Sequence, residues 1–319
     1  MISSMHRLKR YFHYWKHVAF HRLCQGKAVT VGPFSPFEAT RIASFEEYDD
    51  HARSMAGEYE SRNLIEQELL VEQPHFVVPG YCFVCSQPVS FLADYAYGFT
   101  AAGRMVPNWR ECLICPGCRL NNRMRAAIHL FHELCHPRPD CSLYITEQTT
   151  PMYQWFNRAF ANVLGSEFLG SGVLPGSENI KGIRHEDLIS LSFGDEQFDF
   201  VLSFDVFEHI PNYRKAFSEC RRVLKKGGFL CFTIPFDRHS ARNIIRAEMR
   251  PDGTTNHLMT PEYHADPLQE SGCLCYRHFG WECLDELKNE GFSEAACYLY
   301  WSREYGYLGG EQLLFLSKA

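Results

Sequence analysis

The 319-residue chain predicts a doubly wound α/β sheet over its C-terminal part, preceded by an N-terminal helical segment and a small cysteine-rich module. Three observations predict it. From residue 140 onward, short β-branched or aromatic runs alternate with amphipathic helical stretches. Residues 200–204 form a continuous apolar run, as a central parallel strand requires. Two Cys-x-x-Cys pairs, about thirty residues apart, stand ahead of the alternation.

The composition sets the outer bounds. Hydrophobic residues make up 45% and charged residues 22%, globular values that exclude a disordered or fibrous chain. No run approaches the ~18 apolar residues of a spanning helix. The net charge of −6 argues against a surface built for nucleic acid. No apolar region with a cleavage site follows the basic start, so a cytoplasmic location is expected. There, 14 cysteines read as thiols or metal ligands rather than disulfides.

The first boundary is expected near residue 75. Residues 5–24 place Leu8, Phe12, Trp15, Val18, Ala19 and Leu23 at helical spacing among basic residues and histidines. Such a helix docks on its own protein, packs on a second subunit or lies on a membrane surface. Gly32-Pro33 begins a linker, and Ser44 with Glu47 three residues on predicts a capped helix across 44–72.

Residues 76–136 form the second part. Cys82-Phe-Val-Cys85 and Cys115-Pro-Gly-Cys118 each suit a tight turn that aims two thiolates at one ion. Cys112 competes for the site, but Pro116-Gly117 supplies the turn between Cys115 and Cys118. Four sulfur ligands leave no open position, so the expected zinc is structural. A helix from Asn121 to about His136 carries Arg123 and Arg125, expected to pair with carboxylates of the next part rather than with nucleic acid.

Residues 137–319 carry the alternation. Strands are expected at 142–146, 163–167, 183–187, 200–204, 229–234, 294–302 and 311–317. Helices follow Thr149-Thr150-Pro151 and occupy 213–226 and 280–290. Acids fall at successive strand ends: Glu147, Glu167, Asp187 and Asp205. Ligands of such sheets bind outside the carboxyl ends of the strands. An acid after the second strand suits two ribose hydroxyls, and Asp187 suits an adenine amine.

Asp187-Leu188, Leu191-Ser192-Phe193, Phe198-Asp199, Ser203-Phe204, Glu208-His209 and Val223-Leu-Lys-Lys-Gly227-Gly228 resemble the class I S-adenosylmethionine-dependent methyltransferases. The resemblance covers about residues 142–319 and is most specific in its middle. With Glu262-Tyr263-His264 and His278-Phe-Gly-Trp281, it extends to a bacterial subgroup carrying a zinc module. It implies a seven-stranded Rossmann-like sheet, S-adenosylmethionine as cofactor, and Leu188, Phe204 and Asp205 along the cofactor crevice. It also implies a small-molecule or carbohydrate-type acceptor carrying a hydroxyl or amine, with His209 and His264 as candidate bases.

One departure stands out. The family's first strand opens into a glycine-rich loop, whereas this chain has Thr146-Glu-Gln-Thr-Thr-Pro151. Either Thr149, Thr150 and the helix start hold the cofactor carboxylate while Glu147 takes its ammonium, or the pocket has closed and the domain is a non-catalytic scaffold.

Overall fold

The computed structural model describes residues 37–319. The expected helix at 5–24 lies outside them.

The first strand, β1 (Ala39–Ile42), precedes helices α1 (Phe45–Ser54) and α2 (Ala56–Glu68). Ser44 Oγ caps the helix by accepting from Glu47 N, as expected, while Glu47 Oε2 accepts from Ala43 N, one residue before the cap. The single helix expected over 44–72 is broken at Met55, which ends α1 and begins α2. The cysteine module comprises a hairpin of β2 (His75–Cys82) and β3 (Gln87–Asp94), a small hairpin of β4 (Phe99–Ala101) and β5 (Arg104–Val106), and helix α3 (Asn122–Cys135).

Then β6 (Ser142–Ile145), α4 (Pro151–Ala159), β7 (Asn162–Gly165), β8 (Phe198–Phe204), α5 (Tyr213–Val223) and β9 (Leu224–Thr233) build the parallel centre. Short strands β10 (Ile244–Ile245), β11 (Ala247–Met249), β12 (Thr255–His257), β13 (Tyr263–His264), β14 (Cys273–Leu274) and β15 (Arg277–His278) follow. Helix α6 (Glu282–Asn289) and the antiparallel pair β16 (Glu294–Ser302) and β17 (Tyr307–Lys318) complete the chain.

The main sheet has seven strands in the order β1-β16-β17-β9-β8-β6-β7. Strands β6, β7, β8 and β9 are mutually parallel, and β17 and β16 return antiparallel. This is the Rossmann-like methyltransferase arrangement, with one exchange of edges. The strand expected at 183–187 is reduced to one parallel bridge, Glu167 to His185. Its polar side chains bond locally instead: Glu186 accepts from Arg184 and Ser192, and the chain turns back at Asp187. The seventh place is taken at the opposite edge by β1, paired antiparallel to β16. The linker reading of the stretch before Ser44 missed this strand.

Alternation assigns the two faces. Tyr144, Val201, Leu230, Phe232 and Phe315 pack under α5 and α6. Leu143, Ile145, Phe200, Leu202, Cys231 and Leu314 pack under α3 and α4. Helix α3 of the cysteine module thus covers one sheet face. Helix α5 ends at Val223, three residues earlier than expected, because Leu224 is extended and fully buried, paired with Phe198. The segment 237–277 is not structureless: β10 pairs with β15, β11 with β12, and β13 with β14.

Candidate functional site

The chain reverses direction across the sheet between β6 and β8, so the crevice lies beyond their carboxyl ends. Two acids stand there. Glu147 follows β6 and is buried, and its Oε1 has no hydrogen-bond partner. Burial pushes its carboxyl up to about 7, against the opposing pull of Thr150 and Arg123. Asp205 follows β8 with φ of 55°, a left-handed backbone that costs a non-glycine residue about 1 kcal/mol or more. Contacts to Asp205 hold it there: Thr233 Oγ1 donates to Oδ1, and Arg110 donates to both oxygens at 3.0 and 2.8 Å.

Arg110 and Arg123 come from the cysteine module. Arg123 Nη1 lies 3.3 Å from Asp205 Oδ2, and both arginines bind Glu111. Burial acts upward on Glu111, but Arg123 and Arg110 outweigh it and hold the carboxyl at about 2. The expectation that Arg123 serves a carboxylate of the next part is met by Asp205. Arg125 instead donates to the carbonyls of Tyr305, Leu113 and Gly306, with its guanidinium 3.8 Å from the Phe91 ring.

The glycine-free loop folds onto Glu167. Its Oε1 accepts from Gln148 N, Thr149 N and Thr149 Oγ1 at 2.8, 2.8 and 2.7 Å. Thr150 Oγ1 caps α4 by accepting from Tyr153 N. Both threonine hydroxyls therefore already have partners within the fold. Gly165 on the neighbouring strand lets Tyr153 of α4 and the Glu147 backbone pack close to it. A Cβ on Gly165 would stand 2.4 Å from the Tyr153 ring and 2.8 Å from the Glu147 carbonyl.

The remaining expected positions divide. Asp187 is half-buried, and its Oδ1 accepts from Ile189 N. Leu188 and Phe204 are core side chains on opposite faces of the sheet. His209 and His264 meet across β8 and β13, with ring centroids 4.9 Å apart. His209 Nδ1 is 2.8 Å from the Leu274 carbonyl. His264 Nδ1 lies 3.3 Å from Glu208 Oε1 and Nε2 3.0 Å from Glu262 Oε1. Burial lowers the basicity of His264, but Cys275, Glu208 and Glu262 outweigh it and raise the ring to about 11.

The four chosen cysteines come together. Their sulfurs lie within 4.8 Å of one another, with Cys82–Cys118 and Cys85–Cys115 at 3.8 and 3.7 Å. A tetrahedron with ~2.3 Å metal–sulfur bonds has edges of about 3.8 Å. A Cβ on Gly117 would press to 3.0 Å from Cys85 Sγ, so the turn needs its glycine. Cys112 stands apart: it is buried in the module's apolar core, with its sulfur 3.9 Å from the Trp109 carbonyl.

A cavity of about 460 Å³ lies beside Arg110, lined also by Asn63, Glu66, Phe99, Arg104 and Trp109, and by none of the acids at the strand ends. Arg110, Glu111, Gly165 and this cavity were not foreseen. Only the charge of the stretch around Asn121 hinted at the arginine network.

The sheet order is that of the Rossmann-like methyltransferase fold. Residues 151–232 match the family model described as a methyltransferase domain. The chain is 37% identical over 97 residues to a ubiquinone biosynthesis O-methyltransferase of Roseobacter denitrificans, covering 28% of this chain and 39% of that one. It is 33% identical over 73 residues to a demethylmenaquinone methyltransferase of Alkalihalophilus pseudofirmus, covering 21% and 31%. An S-adenosylmethionine-dependent methyltransferase structure from Mesorhizobium loti aligns with 64% of this chain and all of its own, at 15% identity and a TM-score of 0.40. The chain spans about a third of the length of the curated relatives it matches. Among the described residues, no helix is long and apolar enough to cross a membrane.

Proposed function

We propose that the protein transfers a methyl group from S-adenosylmethionine to a hydroxyl or amine of a small-molecule or glycan-precursor acceptor. The observation that carries this reading is Glu147, a buried carboxylate with an unpartnered oxygen at the point where the sheet reverses. A dead crevice gains nothing from a desolvated acid, whereas an ammonium group supplies its missing partner. The orphaned oxygen is thus a fit for the cofactor's amine. Arg123, close enough to Glu147 to influence its charge, is placed for the cofactor's carboxylate alongside the Met152 N–H in the first turn of α4. Thr149 and Thr150 shape that loop. Glu167 keeps one oxygen for ribose while the other braces the loop, and Asp187 and Leu188 border the adenine side.

When bound, the cofactor supplies an activated sulfonium methyl, so the protein's work is alignment and exclusion of water. Asp205 and its arginines form the wall opposite Glu147, and the cavity beside Arg110 has a volume suited to a small acceptor. His209 serves as base: its Nδ1–H donates to the Leu274 carbonyl, and Nε2, 3.5 Å from Glu208 Oε1, takes the acceptor proton with that carboxylate beside it to stabilise the charge. His264, engaged on both nitrogens, supports His209 rather than accepting a proton itself. The relatives named for quinone methylation support a small acceptor without fixing which one. Cys82, Cys85, Cys115 and Cys118 hold a structural zinc that fixes the turn carrying Arg110.

A second reading rests on Glu167 and Thr149, whose mutual bonds tie down the loop: the domain is a scaffold that no longer binds cofactor. A crystal structure grown with S-adenosylhomocysteine separates the two. We expect its amino group beside Glu147. Side chains of 148–151 filling the crevice, with no ligand at saturating concentration, would establish the scaffold.

A further inference from the structure

Outside the tetracysteine site, a second set of metal-ligating side chains converges where the segment 237–277 meets the loop after β8. Glu262, Cys275 and His278 present ligand atoms within 4.8 Å of one another, and Glu208, His209 and His264 do the same alongside. The two trios share a contact, because Glu262 Oε1 lies 3.0 Å from both His264 Nε2 and His278 Nε2. Cys275 meets Glu262 and His278 within its own trio, and His264 joins them through Glu262. We propose that His264 Nε2, His278 Nε2, Cys275 Sγ and Glu262 hold a second zinc ion.

The donor chemistry fits. Two neutral imidazoles, a thiolate and a carboxylate are a borderline-soft set that suits zinc, and their two negative charges match a divalent cation. Tetrahedral bonds of ~2.0–2.3 Å put neighbouring ligand atoms about 3.3–3.8 Å apart. The 3.0 Å contacts of Glu262 fall just short of that range, so the ligands need to move apart only slightly. The Cys275 thiol points at the Arg277 carbonyl, 3.1 Å away, and metal binding releases that proton.

Glu208 supplies the independent observation. It is fully buried, and neither carboxylate oxygen accepts a hydrogen bond. Two imidazoles face it, His264 Nδ1 at 3.3 Å and His209 Nε2 at 3.5 Å from Oε1, and a buried carboxylate that accepts no hydrogen bond costs several kcal/mol or more. Its Oε1 lies 3.3 Å from His264 Nδ1, the outer-shell position that orients a metal-bound histidine and favours ligation through its other nitrogen. On the far side, Arg246 Nη2 lies 3.1 Å from Glu262 Oε2 and fixes that carboxylate.

The site also answers a structural need. The segment is three two-stranded ladders with little buried apolar surface, Ala247, Cys275 and Tyr276 being its main core contributions. Such a thin element needs a staple. A four-ligand zinc would clip β13, β14 and β15 together, with the contact of Glu208 to His264 tying them to the loop bearing His209.

Metal content tests this whether or not the crevice takes a cofactor. Full-length protein is loaded with zinc, desalted and counted by plasma mass spectrometry, with folding checked by circular dichroism. Wild type is expected to hold two zinc ions per chain, and C275S and H278Q one fewer than wild type. Equal counts in the wild type and both folded variants would overturn the proposal. Should the variants not fold, X-ray absorption on zinc-loaded wild type decides. Nitrogen or oxygen neighbours at about 2.0 Å beside sulfur at about 2.3 Å support the site, and a purely sulfur shell overturns it.

Discussion

Arg110 of the cysteine module grips Asp205 at the end of β8 through both guanidinium nitrogens, at 3.0 and 2.8 Å. One ion pair thereby joins the module to the centre of the sheet, and Asp205 keeps its left-handed backbone beneath it. The cysteine module and the crevice are mechanically one unit.

Removing Arg110 leaves Asp205 with Arg123 and Thr233. Breaking a buried pair from one side costs about 3–5 kcal/mol, and Arg110 is 31% exposed, so R110A should lose about 3 kcal/mol in urea unfolding. D205N in the same background should cost less than it does alone. Additive losses would show that the two side chains do not depend on each other.

Glu147 gives stability a pH signature. Its folded carboxyl is raised to about 7 from an ordinary 4.5, so the native state binds the extra proton between those values. The contribution is fully present below about 4.5 and is lost as pH rises through 7, by roughly 3 kcal/mol at 1.36 per unit. E147Q cannot lose it. Urea midpoints at pH 5 and pH 8 should therefore fall further for wild type than for E147Q, and parallel changes would contradict the buried carboxyl.

The ligand choice among five cysteines is directly testable. C115S should release zinc and unfold the hairpin of β2 and β3, whereas C112S should retain it, because its sulfur lies in the apolar core away from the other four. Zinc lost by C112S and kept by C115S would reverse the assignment.

Much of this architecture was legible, and the reasons are local. The paired cysteines, the Ser44 cap and the apolar run at 200–204 each carry their own geometry in sequence. The edges were not legible. Residues 183–187 look like a strand until Arg184, Glu186 and Ser192 bond to one another, and β1 gains its meaning only from β16, more than 250 residues away. The arginine network was half visible: Arg123 stood in a basic helix, but nothing local marked Arg110. Cys275 and His278 share the three-residue spacing of the cysteine pairs, but no second pair of that kind accompanies them in sequence, and Glu262 and His264 stand beside them only once β13 and β14 have paired.

Glu167 has two tasks, and its removal should separate them. E167A should weaken S-adenosylhomocysteine binding by roughly 1.5–3 kcal/mol, the range for hydrogen bonds to a charged group, and should speed amide exchange at Gln148 and Thr149. Faster exchange with unchanged affinity would leave Glu167 a loop brace alone.

The central claim is that the crevice beside Glu147 takes the cofactor, and calorimetric titration of the full chain with S-adenosylhomocysteine tests it most directly. One site per chain is expected, tightening from pH 6 to pH 8 as Glu147 ionises, with affinity reduced and its pH dependence lost in E147Q. A folded wild-type protein that shows no binding at any concentration up to saturation would contradict the account.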